Sequence, residues 1–100
     1  MEGSLMAAYV VAQVKITDPD TFAKYGQQVP AVVEQYGGKY LVRGGEFGTL
    51  EGEWDVGRLV VLEFPSMDHV HRFYNSPEYA PLIKLRQQSA DTIMATVEGV

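Results

Sequence analysis

The stretch from Gly37 to Phe64 constrains the fold more than any other part of the chain. Lys39-Tyr40-Leu41-Val42-Arg43 reads as a short strand, with Tyr40 and Val42 on one side and Leu41 and Arg43 on the other. Leu59 to Phe64 reads as a second strand, with Val60, Leu62 and Phe64 making an apolar face. Gly44, Gly45 and Gly48 punctuate the connection between them, where bulges and tight turns are easy. The pair forms a long hairpin, and helical patterns lie before and after it.

The segment ahead of the hairpin supplies one strand and one helix. Tyr9 to Ile16 alternates, with Val10, Ala12, Val14 and Ile16 on one side and Tyr9, Val11, Gln13 and Lys15 on the other. Asp18-Pro19 starts a helix: the aspartate caps free N–H groups, and proline suits a first-turn position that needs none. Phe22, Tyr25, Val29, Val32, Val33 and Tyr36 recur at helical spacing. Pro30 interrupts that stripe and predicts a kink or break near Gly26–Val29. Gly37-Gly38 ends the helix.

After the hairpin, Pro65-Ser66 opens a helix from Met67 to about Asn75. Ser76-Pro77 begins a turn through Tyr79, and Pro81 opens a further helical piece to about Ala90. Thr92 to Glu98 is the last strand, where Ile93, Ala95 and Val97 alternate with Thr92, Met94 and Thr96.

The order β-α-β-β-α-β, under the right-handed crossover rule, predicts an α+β ferredoxin-like fold. Its four-stranded antiparallel sheet carries helices on one face. Residues 6–100 form one domain in this reading, and residues 1–5, ahead of a second methionine at Met6, are an expression remnant. The bare face is expected to show Tyr9, Val11, Leu41, Leu59, Val61 and Met94, with Gln13, Lys15, Arg43 and Glu63 among them. Strand geometry gives that face a footprint of about 400 Å². Apolar exposure on that scale is at the upper end for a monomer. A second copy packed by two-fold symmetry would cover it, which predicts a homodimer of the dimeric α/β barrel type.

Composition narrows the partners. Net charge is −5 and the eight Lys and Arg residues are scattered, so neither nucleic acid nor a membrane surface is an expected partner. No apolar run is long enough to span a bilayer. The chain has no cysteine, which removes disulfides, thiol nucleophiles and Cys-based zinc sites and suits a cytoplasmic setting. The two histidines, His69 and His71, point to different sides of a helix, so no metal site is expected. No cofactor is expected either.

With these residues laid out, the chain resembles the family catalogued as domain of unknown function 1330, within the dimeric α/β barrel superfamily. The matching stretches are Asp18-Pro19 with Tyr25, Tyr36-Gly-Gly-Lys-Tyr-Leu-Val-Arg-Gly-Gly45, Leu50-Glu-Gly52 and Arg58-Leu-Val-Val-Leu-Glu-Phe-Pro-Ser66. Tyr74-Asn-Ser-Pro-Glu-Tyr79, Arg86 and Val97-Glu-Gly-Val100 complete them. The resemblance implies the fold and the dimer and brings no established activity. Superfamily relatives include cofactor-free monooxygenases acting on aromatic polyketides, lactone isomerases, haem enzymes and ligand-sensing domains. Fold alone does not choose among them.

The candidate chemistry sits mainly around the hairpin. Arg43 can hold a carboxylate or enolate oxygen, with Glu63 or Glu51 as proton acceptor. The same charges, with Arg58, can instead form ion pairs that fix the hairpin or cross a dimer interface. Tyr79 and Asn75 can line a pocket mouth or serve as an anchored capping turn, and Arg86 can reach a ligand or pair with an acid. Trp54, in the hairpin loop, is a lid over a cavity or a packing plug against a partner. Two functions follow. The first is a homodimer that binds a small organic molecule and performs cofactor-free acid–base chemistry on it. The second is a non-catalytic interaction or ligand-sensing module.

Overall fold

A computed structural model describes residues 6–100; the expectation for residues 1–5 lies outside the described residues. Seven elements follow in order: β1 (Ala8–Ile16), α1 (Pro19–Gln35), β2 (Lys39–Arg43), β3 (Arg58–Phe64), α2 (Met67–Tyr74), α3 (Ala80–Ser89) and β4 (Ala90–Glu98). The sheet has the order β2-β3-β1-β4, and each neighbouring pair is antiparallel. This is the expected ferredoxin-like arrangement.

The helix ends follow the local chemistry. The Asp18 carboxylate accepts from the Thr21 backbone N–H at 3.2 Å and from the Thr21 hydroxyl at 2.7 Å, which fixes the start of α1. At its other end Gly37, at φ +86°, turns the chain. The Gly38 N–H then reaches the Val33 carbonyl and the Gly37 N–H the Glu34 carbonyl. Ser66 caps α2 by accepting from the His69 N–H. Of the expected kink or break near Gly26–Val29, a break does not occur: α1 continues through Pro30.

Register assigns the two faces of the sheet. Ala8, Val10, Ala12 and Val14 of β1 stand opposite Phe64, Leu62, Val60 and Arg58 of β3, and residues opposed across antiparallel strands share a face. This face meets the helices. Val10, Leu62 and Phe64 pack with Val29 and Val33 of α1, Phe73 of α2 and Leu82 of α3. Each large side chain buried here stabilises by roughly 1.5–3 kcal/mol. On the other face Tyr9, Val11 and Gln13 lie beside Glu63, Val61 and Leu59 of β3 and Val97, Ala95 and Ile93 of β4.

Two residues expected on the bare face, Met94 and Arg43, lie on the helix-covered one. Met94 pairs with Ala12 and therefore faces the helices. Arg43 does the same because β2 bulges: Tyr40 pairs with Leu62, but Val42 pairs with Val61 and Arg43 with Val60. One extra residue between Tyr40 and Val42 reverses every later side chain of the strand. In their place Ile93 and Val97, 69% and 55% exposed, occupy the open face.

A close contact under the hairpin gives a test of this packing. A Cβ at Gly38 would lie 2.6 Å from the Phe64 ring and 2.9 Å from Val33 Cγ1, whereas one at Gly48 would meet nothing within 4 Å. Gly38→Ala should lose about 1–3 kcal/mol in denaturant unfolding through overpacking. Gly48→Ala should stay within about 0.5 kcal/mol of the parent.

Candidate functional site

Between the helix-covered face of the sheet, α1 and α3 lies a cavity whose room for the centres of water-sized molecules is about 60 Å³. Most of its wall is apolar, from Val10, Ala12, Val60 and Met94 on the sheet and Phe22 and Val29 on α1. The polar wall consists of Arg43, Arg58, Arg86, Tyr25, Tyr40 and Tyr79. No Asp, Glu or His side chain contributes among the described residues.

The inner end belongs to Arg86 and Tyr79, which are 6% and 1% exposed. The turn before α3 places Tyr79: Ser76 Oγ donates to the Phe73 carbonyl at 2.8 Å and accepts from the Tyr79 N–H at 3.1 Å. The Tyr79 ring packs 4.3 Å from that of Phe73, and its hydroxyl stands 2.8 Å from the Tyr25 hydroxyl. Burial, reinforced by the neighbouring Tyr79, raises the Tyr25 pKa far above its ordinary value. Burial likewise raises that of Tyr40. Both phenols therefore stay protonated at neutral pH and act as hydrogen-bond partners, not bases. For Arg86, burial alone disfavours the charge, but the Tyr79 and Tyr25 phenols more than offset this and its pKa is raised. The guanidinium is a fixed cation.

The outer end belongs to Arg43 and Arg58. Proline has no N–H, so Pro30 leaves the Gly26 carbonyl, four residues back, without its helical donor. Arg43 Nη2 donates to that carbonyl at 2.8 Å. The Arg43 guanidinium also lies over the Tyr40 ring, 4.8 Å from its centroid. Arg58 crosses beneath Gly44, which sits at φ +69°; a Cβ there would fall 2.6 Å from Arg58 Cζ. A side chain there would be strained by the backbone angle and would push the Arg58 guanidinium aside. The Nε atoms of Arg58 and Arg86 are buried with no hydrogen-bond partner among the described residues.

Of the residues singled out from sequence, the cavity thus gathers Arg43, Arg58, Tyr79 and Arg86. It leaves four outside. Glu63 lies on the open face, where it accepts from the Tyr9 hydroxyl at 3.0 Å and pairs with Lys39 at 3.1 Å. Glu51 is an exposed loop residue. Asn75 ends α2 and donates to the His71 carbonyl. Trp54 donates its indole N–H to Gln13 Oε1 at 2.9 Å and meets Phe47 edge-on, so it lies on the open side of the sheet, away from the cavity. Tyr79 is not at a pocket mouth but among the most buried side chains.

Tyr25, Tyr40 and Gly26 were not singled out as site residues from sequence. Tyr25 offered a signal, since a phenol within an apolar helical stripe needs a partner for its hydroxyl. Gly26 offered another, because a proline four residues later frees its carbonyl. Groups of three or more potential metal ligands are absent among the described residues, as is any helix long and apolar enough to cross a membrane.

Residues 7–100 match the family described as domain of unknown function (DUF1330), and the chain belongs to that family. Among solved structures it is similar to a protein of unknown function from Rhodopseudomonas palustris at 22% identity and a TM-score of 0.74, over 95% of this chain and 83% of that one. SnoaB, a cofactor-independent oxygenase from Streptomyces nogalater, is 14% identical with a TM-score of 0.65, over 95% and 94% of the two chains. A proposed antibiotic biosynthesis monooxygenase from Caulobacter crescentus is 17% identical with a TM-score of 0.60, over 96% and 92%. At these identities the likeness is one of fold. No curated protein matches the chain.

Two tests follow from the geometry. Arg43→Ala should cost about 0.5–1.5 kcal/mol, the usual net worth of one hydrogen bond. It should cost less in a Pro30→Ala background, where residue 30 supplies the N–H that Gly26 lacks; a double-mutant cycle in denaturant unfolding reads the coupling. At Glu63, hydrogen bonds from Lys39 and then Tyr9 lower the carboxyl pKa. The stability from this lowered value is present above the unfolded-state pKa and lost as pH falls through the folded one. Lys39→Met should move the Glu63 midpoint upward in an NMR titration.

Proposed function

We propose that this chain is a homodimer that binds a small organic acid in the cavity between the sheet, α1 and α3. The carrying observation is three guanidiniums lining one cavity without a single acidic side chain. Arg86 is buried and Arg58 half-buried, and the described residues of the wall offer neither a counter-ion. The apolar remainder of the wall suits the hydrocarbon part of such an acid. The cavity is small, with about 60 Å³ of room for water centres, which favours a short acid over a fused aromatic system.

This reading favours binding or sensing over acid–base catalysis. Glu51 and Glu63 lie outside the cavity, and Tyr25 and Tyr40 in its wall remain protonated. The named oxygenase neighbour gives the enzyme reading a precedent of fold, but the absence of a carboxylate or histidine from the described wall counts against it. The dimer rests on the open face, where Val11, Leu59 and Val61 adjoin the exposed Ile93 and Val97. Two such faces packed by a two-fold axis would cover each other, with Glu63, Lys39 and Tyr9 as polar members of the interface. The cytoplasmic setting expected above belongs to the same reading.

Native mass spectrometry of freshly purified protein tests both parts. The expected result is a dimer that releases a small organic acid on denaturation, with the passenger missing from Arg86→Gln. A dimer without a passenger, and with no thermal stabilisation by a panel of short organic acids, would overturn the binding part. Ile93→Glu, a change at a side chain 69% exposed in the protomer, should leave the fold intact and yield monomers in sedimentation. Wild-type protein that sediments as a monomer at micromolar concentration would overturn the dimer.

A further inference from the structure

We infer that the acid held in this cavity is a small dicarboxylate of three or four carbons. The inference rests on the acid-binding reading above and goes on to specify the ligand's charge and shape.

The charge comes first. Arg43, Arg58 and Arg86 bring three fixed positive charges to one wall that has no acidic side chain. The contacts of Arg43 are both neutral: the Gly26 carbonyl and the Tyr40 ring. Arg58 and Arg86 each retain a buried Nε–H with no acceptor among the described residues. A monoanion balances one of the three cations and leaves the others uncompensated in a largely apolar space. A dianion balances two, and the third, Arg43, is exposed enough for water to solvate it.

The placement of the cations gives the shape. Arg86 comes from α3 and is buried beside Tyr79. Arg58 comes from β3, on the facing layer, and also borders the open groove formed by Gly44, Gly57, Lys15 and Asp55, where the Asp55 carboxylate is paired with Lys15. One cation thus marks the inner end of the cavity and the other its outer end. Val10, Ala12, Val60 and Met94 supply apolar wall. A short diacid matches this order: carboxylate, one or two methylenes, carboxylate. A guanidinium receives a carboxylate through two parallel N–H donors. The small room of the cavity favours a short chain over a long one.

Isothermal titration calorimetry at fixed ionic strength tests the inference. The probes are malonate and succinate, the matched monoacids propionate and butyrate, and inorganic phosphate. Wild-type protein should bind at least one diacid about tenfold or more tightly than the monoacid of equal length. Arg58→Gln should reduce the diacid to the level of the monoacid while leaving monoacid binding in place. Arg86→Gln should weaken both; if that variant fails to fold, Arg86→Lys, which keeps the charge and loses the fork, serves instead. Equal affinity within both pairs, malonate with propionate and succinate with butyrate, would overturn the dicarboxylate and leave the acid-binding reading standing. Tighter binding of phosphate than of any acid would also overturn it, since the site would then hold a compact oxyanion. No binding of any probe, or binding indifferent to both arginines, would sink the dicarboxylate and the acid-binding reading together.

Discussion

A cation cannot be left alone in an apolar interior, and this constraint governs the helix-covered half of the molecule. Arg86 is 6% exposed, on a helix whose other buried residues include Leu82. Taking such a group out of water costs several kcal/mol unless something compensates. Its neighbours offer hydroxyls, not carboxylates: Tyr79 against Phe73, and Tyr25 bonded to Tyr79. The local structure follows from holding those phenols in place. Ser76 locks the turn ahead of α3, the aromatic rings of α2 and the turn stack on one another, and α1 brings Tyr25 to meet them. The core is thus built around a charge that it does not itself neutralise.

At the outer end, backbone chemistry does the arranging. Pro30 withholds one N–H from α1, the exposed Gly26 carbonyl becomes an acceptor, and Arg43 takes it. Gly44 leaves out a Cβ, and Arg58 passes through the space. Each residue in these pairs looks unfavourable alone. A proline and a glycine in a helix interior both weaken it. Together they give a charged side chain a fixed address at the rim of the cavity. Residues that break a local rule are commonly found where function is placed.

Much of the fold was legible in the sequence because alternation and helical spacing report directly on burial. The caps at Asp18 and Ser66, the Gly37 terminus and all four strands follow from such local signals. The site was half legible. Arg43, Arg58, Tyr79 and Arg86 drew notice as polar residues beside apolar strands and helices, but their grouping depends on register. Nothing local announces the extra residue between Tyr40 and Val42, and Arg43 changes face because of it. Met94 was misplaced for a related reason: alternation separates two sets of residues without saying which set faces the helices. Glu63 attracted attention as a carboxylate near an arginine. The pairing of β3 with β1 and β2 sends it instead to Tyr9 and Lys39.

The bulge in β2 has an evolutionary consequence. The two sides of this sheet hold different chemistry, and consecutive residues of a strand belong to opposite sides. Deleting one codon at Leu41 would straighten the ladder and still leave Arg43 opposite Val60, two residues from Tyr40 and on the same inner side. The inward charge is therefore indifferent to the loss of one residue between Tyr40 and Arg43. Within such a lineage, an alignment gap in this strand would mark a change on the outer side of the sheet and not in the lining of the cavity.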